Sequence, residues 1–263
     1  MRAARQAVIP TGGLLILTAG CALLYQPTSL PTSGNLVRDQ LVIRSDFALA
    51  RHHRLIEELV AQRSDVVDRL RLPASDEPIY IYLFESPKRY EAFIAKNYPD
   101  FPDRRAFFVE TDTVLNVYAY WGDRVAEDLR HEVAHGYLHT MVPNLPLWLD
   151  EGLAEYFEVP RGRSGLNRPH VELLLRELEA GSWTPHMAAL EPLHSAAQMT
   201  QRHYAESWAW IHFLLETTPQ RRDLLRSHTA RIRMAGSAPP LSQIALAAEP
   251  DIGQALIEHL KSL

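Results

Sequence analysis

Hydrophobic residues form both strand-like and helix-like runs in the first half of the chain, and a mainly helix-like pattern in the second half. Residues 79–84 are apolar or aromatic without a break, and all but Leu83 are β-branched or aromatic, which predicts a strong strand. Similar runs predict further strands at 41–44, 105–110 and 113–121. Apolar residues at helical spacing predict helices at about 47–72, 87–97, 124–142, 170–179 and 203–217. The pattern indicates an α+β fold, in which a small mixed sheet is followed by a mainly helical half.

Residues 124–142 contain an H-E-x-x-H motif, formed by His131, Glu132 and His135. Residues four apart lie on the same face of an α-helix, so the two histidines can direct a ring nitrogen at one metal ion. Neutral imidazole suits zinc, and the adjacent carboxylate can accept the proton of a water activated by the ion. The motif therefore predicts a zinc site with Glu132 as general base. The alternative is a surface helix that carries these residues by chance.

A catalytic zinc ion needs a third protein ligand. The longer motif of metzincins is absent, because Leu138 and Met141 stand where its glycine and third histidine would be. His139 follows one turn after His135, but three ligands from one straight helix rarely converge on one ion. We interpret His139 as a partly exposed residue or as one that supports a ligand.

A second helical pattern follows Pro146 and contains the better third ligand. Leu149, Leu153 and Phe157 predict its buried side, whereas Glu151 lies on a different face. Gly152 lacks a Cβ atom, so we expect close approach to the first helix beside Glu151. The alternative for Glu151 is a carboxylate that only complements a helix N-terminus.

The two motifs together resemble the signature of gluzincin zinc metallopeptidases, and most closely the bacterial peptidase-MA-like domains of unknown function. The segments are H-E-V-A-H at 131–135 and W-L-D-E-G-L-A-E-Y at 148–156, and the resemblance covers roughly residues 41–220. It implies a thermolysin-like core, zinc held by His131, His135 and Glu151, and Glu132 as general base. It also implies that Glu155 orients a ligand imidazole. The G-x-M-E-N segment of zinc aminopeptidases is missing, so aminopeptidase specificity is not expected.

Two further expectations concern the substrate cleft. Zinc peptidases usually have a cationic or phenolic donor for the developing oxyanion, and Tyr204 is our candidate, with core packing as the alternative. Gluzincin-like domains place an edge strand beside the cleft, which residues 114–120 would provide here for pairing with a peptide. An ordinary strand with both edges covered explains residues 114–120 equally well.

Composition limits the class of protein. With 263 residues and 46% hydrophobic content, the chain can bury a full core. The net charge is −5 and the arginines are scattered along the sequence, so nucleic acid is not an expected partner. The single cysteine, Cys21, excludes disulfides within the chain and cysteine-based metal sites.

The amino terminus has the features of a processing signal. Arg2 and Arg5 precede an apolar run, residues 8–19, that is too short for an ordinary transmembrane helix. The following L-T-A-G-C, residues 17–21, resembles a bacterial lipobox, whose cysteine is lipidated and becomes the first residue of the mature protein. The alternative is a buried cysteine in an ordinary secretory signal or anchor.

We therefore expect a lipoprotein signal peptide over residues 1–20, a tether over 21–38 and one peptidase-MA-like domain over 39–263. A lipid on Cys21 would anchor the protein to a membrane of the bacterial cell envelope, facing the periplasm or the exterior. The expected activity is hydrolysis of peptide bonds in proteins or of amide bonds in cell-wall peptides. The alternative is a zinc-binding envelope lipoprotein that acts as a binding or scaffolding module without turnover.

Overall fold

A computed structural model of the protein describes residues 28–263. The predicted signal peptide and the predicted lipidation site, Cys21, lie outside the described residues. No helix within residues 28–263 combines the length and the apolar character that crossing a membrane requires.

The described strands form one mixed five-stranded sheet with the order β1-β2-β3-β5-β4. The strands are β1 (Gly34–Arg38), β2 (Leu41–Ser45), β3 (Ile79–Phe84), β4 (Ala106–Glu110) and β5 (Leu115–Tyr120). β3 lies between the parallel strands β2 and β5, whereas β1 and β4 are antiparallel edge strands. β3 is apolar throughout because both of its faces are covered.

Ten α-helices fall within residues 28–263. They are α1 (Arg54–Leu70), α2 (Pro87–Asn97), α3 (Val125–Met141), α4 (Leu147–Phe157), α5 (Arg168–Glu179), α6 (Met187–Leu190), α7 (Gln201–Glu216), α8 (Pro219–Ala235), α9 (Leu241–Ala248) and α10 (Ile252–Ser262). The predicted α+β class is confirmed, because the sheet precedes a half that consists mainly of helices.

Two hydrophobic clusters cover opposite faces of the sheet. Ile79 and Ile81 of β3 belong to the larger cluster, which also contains Leu129 of α3. Phe84 of the same strand belongs to the smaller cluster, together with Tyr90 of α2. The alternation along β3 therefore places α3 against one face of the sheet and α2 against the other.

The order of the strands decides between the two interpretations of residues 114–120. β5 is hydrogen-bonded to β3 on one side and to β4 on the other, so it is an ordinary inner strand. The expectation of an edge strand at this place is wrong, and the edge belongs to β4. The turn between β4 and β5 folds β4 back along the outer side of β5, which the sequence pattern does not reveal.

Two other boundaries also differ from the sequence predictions. β1 pairs with β2 along its whole length, so the folded part begins before residue 39 and the predicted tether ends too late. α1 begins at Arg54 rather than near residue 47, since His53 caps it and accepts a hydrogen bond from the main-chain N–H of Leu55. Phe47 instead packs edge-on against Trp121.

α4 packs against both α3 and α7, and Gly152 explains the second contact. A Cβ atom at Gly152 would lie 2.7 Å from the carbonyl oxygen of Ser207 on α7. The close approach that Gly152 permits is therefore to α7, and the expectation of an approach to α3 at this residue is wrong. The contact fixes α4 where its first turn faces the motif on α3.

Candidate metal centre

Three side chains from two helices direct donor atoms at one point. Nε2 of His131 lies 3.2 Å from Nε2 of His135, both on α3. Oε2 of Glu151, on α4, lies 3.5 Å and 3.7 Å from these nitrogens, respectively. The structure thus brings together the three residues that the sequence predicts as ligands.

The spacing and burial of these atoms fit a metal ion. Ligand atoms bound tetrahedrally at about 2.0–2.1 Å lie about 3.4 Å from one another. His135 and Glu151 are each 6% exposed, and Oε2 of Glu151 is buried without a hydrogen-bond partner. A buried carboxylate oxygen in this state is costly unless a cation compensates it. The three residues could therefore hold a metal ion.

The electrostatics of the site point the same way. Burial lowers the pKa of the His131 imidazole, but Glu151 and Glu158 outweigh burial and raise that pKa well above its ordinary value. The pKa of His135 is also raised, since Asp150 and Glu151 outweigh burial. The carboxylates therefore draw positive charge to the point where the donor atoms meet.

Each of the two imidazoles has a second carboxylate at its other nitrogen. Oε2 of Glu158 lies 3.1 Å from Nδ1 of His131. Oδ2 of Asp150 lies 2.9 Å from Nδ1 of His135, as a charge contact whose angle is outside the range of an aligned hydrogen bond. Carboxylates at Nδ1 leave each Nε2 lone pair free for a metal ion.

Glu155 does not make the contact that the resemblance implies. The carboxylate against His131 belongs to Glu158, whereas Oε2 of Glu155 lies 2.7 Å from Nε2 of His170. The expectation that Glu155 orients a ligand imidazole by direct contact is therefore wrong. Asn167 joins the two carboxylates, because its amide donates to Glu158 at 2.9 Å and to Glu155 at 3.4 Å.

His139 contacts the carboxylates next to the candidate ligands. Its Nε2 lies 2.9 Å from Oδ2 of Asp150 and its Nδ1 lies 2.6 Å from Oε2 of Glu110. These carboxylates outweigh burial and raise the pKa of His139 to about 10. His135, His139 and Asp150 form a second group with metal-ligand spacing, but both nitrogens of His139 already contact carboxylates. The arrangement agrees with our interpretation of His139 as a supporting residue.

Glu132 lies beside the ligands and lines a cavity of about 490 Å³ that also reaches His131. Burial raises the pKa of the Glu132 carboxyl group, against the opposing effect of the two histidines. A backbone hydrogen bond with Phe108 of β4 acts on the same carboxylate. A carboxylate with a raised pKa at the wall of a cavity is suited to accept a proton.

The edge strand β4 lies beside the centre. The ring of Phe108 stacks on His135 with the centroids 5.8 Å apart, and contacts His139 edge-on at 4.9 Å. β4 pairs only with β5 in the described sheet, so its outer edge is available for a further strand.

Tyr204 and Arg104 meet at the other side of the centre. Tyr204 lines a second cavity of about 780 Å³ that contains His131 as well. Its phenolic oxygen accepts a hydrogen bond of 2.9 Å from Arg104. Burial, followed by the charge of Glu151, raises the pKa of Tyr204.

Arg104 was not among the residues predicted for the site. It belongs to the pair Arg104-Arg105 directly before β4. That position is the only signal in the sequence that could have indicated it.

The second half of the chain is similar to a known family. Residues 125–235 match the model of the family described as "Protein of unknown function (DUF1570)". The match runs from the first residue of α3 to the last residue of α8, and thus contains His131, Glu132, His135 and Glu151. It covers less than half of the chain, and the sheet and Arg104 lie outside it. No curated protein matches the chain.

Proposed function

We propose that this protein is a zinc metallopeptidase of the gluzincin type, anchored by a lipid on Cys21 in the bacterial cell envelope. The observation that carries the proposal is the convergence of two Nε2 atoms and one buried carboxylate oxygen, with Glu132 beside them at a cavity. A site that only binds metal needs the three ligands but has no use for Glu132. The lipid anchor and the envelope location are supported by the sequence at residues 17–21.

Three of these residues would bind the metal ion, and a fourth would transfer protons. His131, His135 and Glu151 would hold zinc, which when bound acts as a Lewis acid towards a carbonyl group and towards water. Glu132 takes a proton from the attacking water and delivers it to the leaving amine. Its raised pKa brings the carboxylate closer to the pH at which both transfers are efficient.

Tyr204 is the proposed donor for the oxyanion. A phenol is protonated at neutral pH, and the raised pKa of Tyr204 keeps it protonated at still higher pH. Arg104 donates to the phenolic oxygen, so the hydroxyl hydrogen stays available for the substrate. A hydroxyl that donates only when negative charge develops on the substrate stabilises the transition state more than the ground state.

A peptide substrate would pair with the outer edge of β4. Main-chain hydrogen bonds to an edge strand hold an extended peptide regardless of most of its side chains. The position of Phe108 against His135 means that a strand added there runs past the metal ligands. This supports hydrolysis of peptides or of cell-wall amides over a reaction on small molecules.

Metal analysis combined with two variants tests the proposal. The full chain should bind one zinc ion and hydrolyse members of a peptide library. Glu151→Ala should lose the ion, because it removes the only carboxylate among the three donors. Glu132→Gln should keep the ion and lose hydrolysis. Retained hydrolysis in Glu132→Gln contradicts the mechanism, and a zinc-loaded parent that cleaves no peptide favours the scaffolding alternative.

A further inference from the structure

The larger cavity beside the metal centre carries uncompensated positive charge. Its three carboxylates are already engaged within the protein, since Glu158 contacts His131, Glu155 contacts His170 and Glu127 contacts Arg124. Among the arginines that line it, Arg163 and Arg176 are exposed and make no side-chain hydrogen bond or ion pair with any described residue. The net field inside the cavity is therefore attractive to anions.

Arg104 is the member of this group nearest to the chemistry, and its neighbour Arg105 provides a comparison. Arg105 forms an ion pair with Asp128, with a shortest N–O distance of 2.6 Å. Arg104 donates to the phenolic oxygen of Tyr204 and contacts no carboxylate among the described residues. One arginine of the pair is thus structural, and the other lines the cavity without a carboxylate partner among the described residues.

Arg104 is close to the residues that would hold the ion. Arg104 and His131 line both cavities, so the guanidinium lies at the wall where the two cavities adjoin. Burial lowers the pKa of Arg104, but Tyr204 and the carboxylates of Glu151 and Glu132 outweigh burial and raise it. A substrate that binds at the metal centre and fills either cavity would therefore lie along Arg104.

We propose that Arg104 binds a carboxylate of the substrate, so that the cleft prefers peptides with an acidic side chain or a free C-terminal carboxylate near the scissile bond. This inference rests on the proposed peptidase function. The planar guanidinium matches the two oxygens of a carboxylate, and Tyr204 fixes one edge of it in place. Arg163 and Arg176 extend the positive field outwards and guide the anionic peptide into the cavity.

Binding to the zinc-loaded Glu132→Gln chain tests the proposal without turnover. The probes are fluorescent alanine-based hexapeptides that carry one glutamate or one glutamine at each position in turn, with the C-terminus free or amidated. We expect the best carboxylate peptide to bind about ten-fold more tightly than its neutral counterpart, as for a hydrogen bond to a charged group. The glutamate series and the free C-terminus distinguish the two sources of the carboxylate.

Arg104→Gln should abolish this preference, measured as the ratio of the Kd values of the neutral and the carboxylate peptide within the same variant. Arg104→Lys should retain part of it, because the charge remains but the paired donors are lost. Arg231→Gln is the matched control, since Arg231 is an exposed arginine on α8 that lines neither cavity. It should keep the preference of the parent.

The outcomes separate this inference from the proposed function. Hydrolysis by the parent without a preference for carboxylates, or a preference that survives Arg104→Gln, overturns the inference and leaves the peptidase function standing. Carboxylate binding that depends on Arg104 in a parent that cleaves none of the peptides supports the inference and overturns the peptidase function. Equal loss of charged and neutral peptides in Arg104→Gln, or no binding of any peptide, also overturns the inference.

Discussion

Oε2 of Glu158 lies 3.1 Å from Nδ1 of His131. Glu158 caps the carboxy-terminal end of α4, and Glu151 belongs to the amino-terminal half of the same helix. The main-chain oxygen of Glu158 accepts a hydrogen bond from Arg130, so this residue is held from two sides. One short helix therefore contributes a candidate ligand at one end and the support for a second ligand at the other.

Because Glu158 contacts His131, removing Glu158 should reduce metal affinity far more than removing the neighbouring Glu155. Glu158→Ala should weaken metal binding by about 10–100-fold, which is typical for loss of a residue that orients a ligand histidine. Glu155→Ala should have a smaller effect, because Glu155 contacts His170 instead. Competition with a chelator of known affinity measures both. A greater loss in Glu155→Ala would restore the role implied by the resemblance.

The contacts of Asp150 predict that His139 variants keep the metal ion, whereas variants of a ligand lose it. Oδ2 of Asp150 lies 2.9 Å from both Nδ1 of His135 and Nε2 of His139. His139→Gln should keep one metal ion per chain and weaken its binding, because Asp150 loses a charged partner. His135→Gln should lose the ion. Loss of the ion from both variants in metal analysis would make His139 a ligand.

Even a single methyl group added at Gly152 should destabilise the folded protein. In Gly152→Ala the new Cβ atom would meet the carbonyl oxygen of Ser207 at 2.7 Å, so α4 and α7 must move apart. The free energy of unfolding should fall by about 1–3 kcal/mol, as for other overpacked sites. Gly253→Ala is the control, since its Cβ atom would meet no atom closer than 3.8 Å. Urea denaturation should show a loss in the first variant only.

The burial of His212 predicts that the protein loses stability in mild acid. Burial, followed by the neighbouring His259, lowers the pKa of His212 from 6.5 to about 4. As pH falls through this interval, the unfolded chain binds a proton that the folded protein excludes. The free energy of unfolding is therefore unaffected above pH 6.5, and it falls by about 3 kcal/mol as the pH drops to about 4.

His212→Phe keeps a ring in the buried site and removes the titration. Its free energy of unfolding should depend less on pH than that of the parent between the two pKa values. Both proteins are compared in the presence of a chelator, since release of metal also depends on pH. Equal slopes in urea denaturation would mean that His212 is protonated in the folded protein.

The local part of the site was predictable from the sequence, and the contacts between distant segments were not. His131 and His135 are related by one turn of helix, so their spacing alone indicates a shared face. Glu151 lies on a second helix, and the motif around it rather than the spacing indicated it as a ligand. Glu155 and Glu158 both follow Glu151 within two turns. The choice between them depends on how α4 crosses α3, which no local pattern encodes.

The same limit applies to the walls of the cleft. The strands near residues 106–110 and 115–120 were predicted, but their order in the sheet is a relationship between distant segments. Arg104 and Tyr204 are a hundred positions apart, so neither composition nor periodicity joins them. The arginines that are scattered in the sequence converge only through the fold.

The three donor atoms come from a helical hairpin, α3 and α4, joined by a short turn. The hairpin closes a small loop, so bringing its donor atoms together costs little chain entropy, whereas β4 and Arg104 join the site only through long-range contacts. A metal ion bound by these donors would therefore stabilise the folded chain through a segment of fewer than forty residues, and the sheet need not supply a ligand.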